Sequence, residues 1–269
     1  MLQILALAAI AQTKPPHSSA RIVSAVSQAK PGSPFKVALV IKMDPDWHVY
    51  WKNPGDFGMA TAMTWKLPKG WTAGPISWPP PMRMQSSGMA VYVYSGSVTL
   101  PMTISPGRMP TSGFITLRGD ADWLVCDPSQ CMQAGQKVSL RIKMGPKEVA
   151  NPSGQKLIET ALRAAPATAQ SAAAALQPRA RRVGNALELS ILVGDRALSE
   201  PYFYPAEPGV ITYDMAQQSR IEQERLILTL PVSPFATKSL KRLRGTLVVK
   251  EPDPWIGTSG AADIDVAIE

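Results

Sequence analysis

Cys126 and Cys131 are the only cysteines in the chain, and they bracket the stretch Cys126-Asp-Pro-Ser-Gln-Cys131. Two thiols at this spacing across a proline-containing turn can bring their Cα atoms within bonding range, so the pair can close and open. One use of such a pair is a structural crosslink. Loop-closure entropy gives about 2 kcal/mol for so short a loop, a small return in a chain long enough to bury a core without it. The other use is exchange, because the second thiol stays close enough to resolve a mixed disulfide formed by the first. Asp127 disfavours a thiolate at Cys126 while the basic background favours one, so the residues do not say which cysteine attacks. A zinc site would need more ligands than the two histidines, His17 and His48, and the sequence has no C-x2-C. On the residues alone, crosslink and redox pair stand level.

The segments that must hold this pair read as β-structure. In 115–125 the positions Ile115, Leu117, Ala121, Trp123 and Val125 share one face, and Thr116, Arg118, Asp120 and Asp122 share the other. A second alternating run sets Val138, Leu140, Ile142 and Met144 against Ser139, Arg141 and Lys143. Asp120 and Asp122 lie on the polar face leading to Cys126, where a carboxylate can tune a thiol or take its proton; the plain alternative is an ordinary charged strand face. Further strands are expected at 35–42, 47–51, 90–94 and 98–104, bounded by Pro, Gly, Asp and Ser. In 47–51, His48 and Tyr50 oppose Trp47, Val49 and Trp51; a structural histidine is the plain reading of His48 and proton transfer the sharper one. Asp56 follows Pro54-Gly55 and reads as a turn carboxylate.

The chain continues past 146 with an Ala-, Gln- and Pro-rich stretch to 182, where Asn151-Pro152 offers a helix start and Leu157, Ile158, Ala161 and Leu162 a short apolar stripe. Strands resume at 186–193, 210–213, 225–230 and 245–249. The expected organisation is 1–19 as an export signal and tail, 20–145 as a first β domain, 146–182 as helix and linker, and 183–269 as a second, smaller β-sandwich-like domain. At 269 residues with 26 prolines and 19 glycines, short strands joined by turns are favoured and the fold class is all-β. The apolar run Leu2–Ile10 is about half a membrane span and is followed by small residues, the shape of a signal peptide without its basic start.

A formal charge of +8 points to acidic partners or anionic lipid rather than nucleic acid, because the cations are spread thinly and interleave with no aromatic stripe. No Gly-rich phosphate loop, G-x-S-x-G or H-E-x-x-H occurs, so hydrolytic and nucleotide-dependent activities rank low and no cofactor is called for. Methionines are frequent; Met82 and Met84 beside a cysteine pair make a Cu(I) site the alternative to ordinary gap-filling.

Four stretches in order resemble the N-terminal periplasmic domain of the thiol:disulfide interchange protein DsbD, and more closely its ScsB-type relatives: Trp47-His-Val-Tyr-Trp-Lys-Asn-Pro-Gly-Asp56, Ile76-Ser-Trp-Pro-Pro80, Tyr94-Ser-Gly-Ser-Val-Thr-Leu-Pro101, and Asp122 to Cys131. The likeness is strong over about 20–145 and weaker beyond, where Tyr202-Phe-Tyr-Pro205 and Leu226 to Pro231 resemble the ScsB-type second domain. It implies an immunoglobulin-like β-sandwich in the periplasm, with Cys126 and Cys131 catalytic in a protein-disulfide reductase type of chemistry. The pair would take electrons from a membrane thiol electron transporter, a DsbD-like transmembrane protein, and pass them to thioredoxin-like or other periplasmic thiol proteins. Cytochrome c biogenesis and copper tolerance are the settings the resemblance implies. A mobile loop shields the pair in that family, and by position Met82, Arg83, Met84 and Gln85, within 81–88, are the matching stretch. The sequence carries neither the transporter nor a thioredoxin-like domain, so the expectation is that it meets its reductant as a separate protein. The other class of function is a non-catalytic copper-binding or scaffold module with a structural disulfide.

Overall fold

In the computed structural model, residues 16–86, 88–108, 110–196, 198–236, 240–250, 255–256 and 260–269 are described. The expected export signal falls almost wholly outside them, in 1–15. Two sheets build the N-terminal half. One runs Ser18–Ser24, Phe35–Met43, Ser97–Ser105 and Thr72–Ala73, edge to edge. The other runs Val149–Ala150, Val26–Ala29, Cys131–Met144, Gly113–Cys126, His48–Gly55, Met89–Ser95 and Met82–Ser86, with Ala62–Lys66 also paired to Gly113–Cys126. Their inner faces meet as an immunoglobulin-like sandwich. Leu39, Ile41 and Leu100 of the first sheet and Trp51, Leu117 and Trp123 of the second are all essentially inaccessible to solvent. The alternation read from 115–125 and 138–144 explains why: a pleated strand sends every second side chain to the core, and Leu117, Ala121, Trp123, Val125, Val138, Ile142 and Met144 are buried. Polar seams tie the layers, with the Trp123 indole donating to Ser18 Oγ at 3.1 Å and the Ala20 amide donating to Gln136 Oε1 at 2.9 Å.

Helix α1 (Pro152–Ala164) lies against the first sheet, burying Ile158 beside Val23, Ala38 and Val40. Pro152 takes the first helical turn as expected, but Asn151 caps nothing with its side chain. Its amide donates instead to Ser24 O at 3.0 Å, anchoring the helix to the sheet. The Ala-rich stretch read as connector contains a second helix, α2 (Ala169–Leu176), capped by Thr168 accepting from the Ser171 amide and held by buried Ala172 and Leu176.

Two further sheets make the C-terminal half: Arg179–Val183, Ala186–Leu192, Arg225–Pro231 and Gln218–Glu222 in one, Tyr202–Pro205, Arg242–Val248 and Ala261–Ala267 in the other. The Arg179–Arg182 cluster, read as linker, is strand because it pairs with 186–190 across the tight turn at Gly184. By contrast, 210–213 makes only a single bridge, Ile211 to Val232. Its aromatic residue has another duty.

That duty lies between the halves, whose cores are continuous. Tyr92 sits edge-on to Tyr204 and Tyr213, with ring centroids 4.8 and 5.4 Å apart, and shares a 3.0 Å hydrogen bond with the Tyr202 hydroxyl. Asn53, fully buried, donates to Pro205 O at 2.8 Å and Glu207 O at 3.2 Å. Asn53 and Tyr202–Pro205 are the motif residues of the two halves, and they meet. Replacing Asn53 with Ala strands two carbonyls in an aromatic interior, so Asn53→Ala is expected to lower stability by about 2 kcal/mol, read as a reduced urea midpoint.

Candidate functional site

Cys126 and Cys131 are joined by a disulfide, and they face each other as the last pair of the long 113–126/131–144 hairpin, with Cα atoms 4.1 Å apart. The turn between them is built by Asp127. Its carboxylate accepts from the Ser129 amide and hydroxyl, both at 2.7 Å, and from the Gln130 amide at 2.9 Å. These donors favour the charged form and hold the Asp127 carboxyl below the usual carboxylate range. Asp127 is therefore first a turn-former, and its fixed negative charge lies beside the pair.

The two sulfurs differ. Cys126 is 1% exposed and packs with Tyr50, Val91 and Val93, whereas Cys131 is solvent-exposed. The difference follows from the sheet, because Cys126 lies inside it, opposite His48, and Cys131 starts a strand that has no neighbour on its other side at that point. The Tyr50 hydroxyl donates to Cys126 Sγ at 3.1 Å and lies 3.9 Å from Cys131 Sγ. Burial pushes the Tyr50 phenol up to about 12, so it carries its proton throughout the physiological range. His48 Nε2 is 3.4 Å from the same oxygen; with its proton on Nε2, the imidazole donates to the phenol oxygen and aims the phenol O–H at sulfur. Burial lowers the His48 pKa, with the Asp127 charge acting the other way.

A cleft of about 270 Å³ opens on the disulfide, walled by Tyr50, Phe57, Met89, Val91 and the Asp127–Gln130 turn. Phe57 stands edge-on to Tyr50 at 6.5 Å and is 46% exposed. It can stand there because Gly58, at φ +123°, lets the backbone pass against the Tyr50 ring, where a Cβ would come within 2.3 Å of ring carbons. Asp56 fixes the base of this segment: its carboxylate accepts from the Ala90 amide at 2.9 Å and its own amide donates to Ala90 O at 3.0 Å. Read from the sequence as a turn carboxylate, Asp56 instead ties the end of its strand to Ala90 of a neighbouring strand.

The other expected site residues lie elsewhere. Asp122 and Asp120 are four and six residues before Cys126, about 13 and 20 Å away along an extended strand, too far to touch a thiol. Asp120 is paired with Lys66, and Asp122 lies over Gly135. Of the 81–88 stretch, Met82–Ser86 is an edge strand paired with Met89–Ser95 rather than a loop, held by the ladder from Met82↔Val93 to Ser86↔Met89. Arg83 faces the C-terminal half, donating to Tyr213 O at 3.0 Å with its guanidinium over the Tyr202 ring. Met84 packs against the cluster around Cys126, while Met82 is 54% exposed and Gln85 is exposed. Among the described residues, no three His, Cys, Asp or Glu side chains converge as a metal site. The residues sequence reasoning missed are Tyr50, Phe57, Met89 and Val91. Only Tyr50 left a signal, by sharing a strand face with His48.

Residues 19–142 match the family described as thiol:disulfide interchange protein DsbD, N-terminal. The match covers a little under half of the chain. The whole chain has the fold of the N-terminal periplasmic domain of ScsB from Proteus mirabilis, with 17% identity over 96% of this chain and 97% of that one and a TM-score of 0.68. The E. coli chaperone DraB is also similar, at 11% identity over 91% of this chain and 96% of that one, with a TM-score of only 0.27. No curated protein sequence matched. No helix among the described residues is long and apolar enough to cross a membrane.

The lowered His48 pKa has a signed consequence. The unfolded chain takes up a proton near the ordinary value of 6.5 before the folded one does, so stability from His48 is full above that pH and is lost as pH falls below it. His48→Gln is expected to flatten this part of the stability profile, measured as urea midpoints between pH 7.5 and 5.

Proposed function

We propose that this chain is a periplasmic thiol-disulfide interchange protein, in which residues 20–145 form the exchange domain and Cys126 and Cys131 are its catalytic pair. The observation that carries the reading is the asymmetry of the two sulfurs: one exposed at the mouth of a cleft, the other buried under a hydroxyl donor. The match of residues 19–142 to the DsbD N-terminal family supports it. The reducing equivalents would come from a membrane thiol electron transporter and go to thioredoxin-like or other envelope thiol proteins.

The chemistry follows from exposure. An incoming partner thiolate attacks Cys131 Sγ, forming a partner–Cys131 disulfide while the Cys126–Cys131 bond breaks and Cys126 leaves as thiolate. The Tyr50 O–H, already aimed at that sulfur, stabilises the departing charge, and a proton from solvent completes the thiol. The partner's second thiolate then attacks its own sulfur in the mixed disulfide and releases Cys131. The partner ends as a disulfide and this chain as a dithiol, two electrons and two protons richer. Run backward, Cys131 attacks a substrate disulfide and Cys126 resolves the intermediate, returning this pair to the disulfide. His48 orients Tyr50 and positions rather than reacts.

The test is trapping. Cys126→Ala leaves an exposed thiol and is expected to capture a glutathione or partner adduct at least tenfold faster than Cys131→Ala, whose remaining thiol is buried; equal rates would overturn the assignment. In glutathione buffers the native pair is expected to equilibrate above about −300 mV, the region of exchangeable rather than inert bridges. Removing the donor in Tyr50→Phe is expected to shift the potential by about 30 mV toward more negative values, because a hydrogen bond to the more electron-rich sulfur of the reduced pair is stronger than the one made to the disulfide.

A further inference from the structure

On the face of the hairpin that presents the disulfide, the outward residues running away from Cys126 and Cys131 become basic. Lys137, Ser139, Arg141 and Lys143 on one strand pair with Asp120, Arg118, Thr116 and Phe114 on the other, and Lys66 joins from the strand alongside. Lys66, Arg118, Lys137 and Ser139 line a cleft of about 260 Å³. The one carboxylate in its lining, Asp120, is held by Lys66, so three cations face one anion. At the far end Arg141 lies 4.0 Å over the ring of Phe114, which is 57% exposed. Arginine is among the residues enriched at binding hot spots, and the exposed ring holds this one in place.

We propose that this cleft is a docking site for an acidic surface of the thiol partner, an inference that rests on the exchange reading above. Distance is the first argument. Lys137 and Arg118 lie six and eight residues from the cysteines, about 20–27 Å along extended strands. A protein interface of ordinary size covers about 800 Å² per partner, some 30 Å across. One partner with the disulfide under one edge of its footprint therefore reaches the cleft with the opposite edge. Charge is the second. Discrete carboxylates can enter a cleft three-to-one cationic and avoid Asp120 and Asp122, whereas a flat anionic lipid surface cannot enter it and meets both carboxylates. Cations arranged beside a reactive centre raise the rate of encounter more than the strength of binding.

The probe is a synthetic peptide with one cysteine joined through roughly six residues, about 20 Å when extended, to four glutamates, compared with its glutamine counterpart. At low ionic strength the glutamate peptide is expected to open the disulfide about tenfold faster, and the advantage is expected to vanish near 0.5 M salt. The Arg118→Gln/Lys137→Gln variant should lose the advantage while reacting normally with glutathione. Arg182→Gln/Lys241→Gln, which removes two cations from the other half, should keep it. Equal rates for the two peptides, an advantage that survives in the cleft variant, or equal loss in both variants would overturn the proposal. So would a cleft variant that lost only its binding to phosphatidylglycerol vesicles. If the protein does not react even with glutathione, the exchange reading is what fails. Fluorescence anisotropy of a cysteine-free glutamate peptide then decides the cleft alone: binding weakened by the cleft variant supports it, and no binding overturns it.

Discussion

Neighbouring side chains of an extended strand must point to opposite faces, and the His48–Gly55 strand uses both. Its inward residues, Val49, Trp51 and Asn53, enter the core and reach through it to the C-terminal half. Of its outward residues, Tyr50 meets the sulfur of Cys126 and His48 meets the Tyr50 hydroxyl. A slip of one residue would put the phenol in the core and the indole against the disulfide, and no local adjustment would repair either. The buried amide of Asn53 and the tyrosine cluster it joins hold that register from the far side, so the C-terminal half braces the strand that supplies the hydroxyl.

The disulfide environment is otherwise assembled from pieces distant in sequence. The turn at Asp127 depends only on its own neighbours, but the cleft also needs Phe57, supported by a glycine that tolerates an unusual backbone, and Met89 from another strand. The apolar wall leaves Cys131 open and Cys126 covered. One sheet thus gives two chemically equivalent residues different accessibility through their neighbours alone.

Much of this was readable in advance where a rule is periodic. The faces of 115–125 and 138–144, the strand at 47–51 and the proline-started helix all rest on repeats or local chemistry, and the structure has them. What failed was what depends on tertiary partners. Asp120 and Asp122 share a face with Cys126, yet face says nothing of distance along the strand. Met82–Ser86 matches a loop only by its position in the resembled family, and it finds a ladder partner in Met89–Ser95. Arg83 and Tyr213 are explained only by the half of the chain they reach across to. Phe57 left no signal, because its place depends on a backbone turn fitted to a ring seven residues earlier.

The cysteines are the last of a long series of paired positions, from Gly113↔Met144 up to Cys126↔Cys131. Breaking their bond unties one end of a ladder whose other pairings run on to its far end. A chain built this way would offer a protease no more unfolded backbone as a dithiol than as a disulfide. Its lifetime would then be independent of how often it is oxidised and reduced.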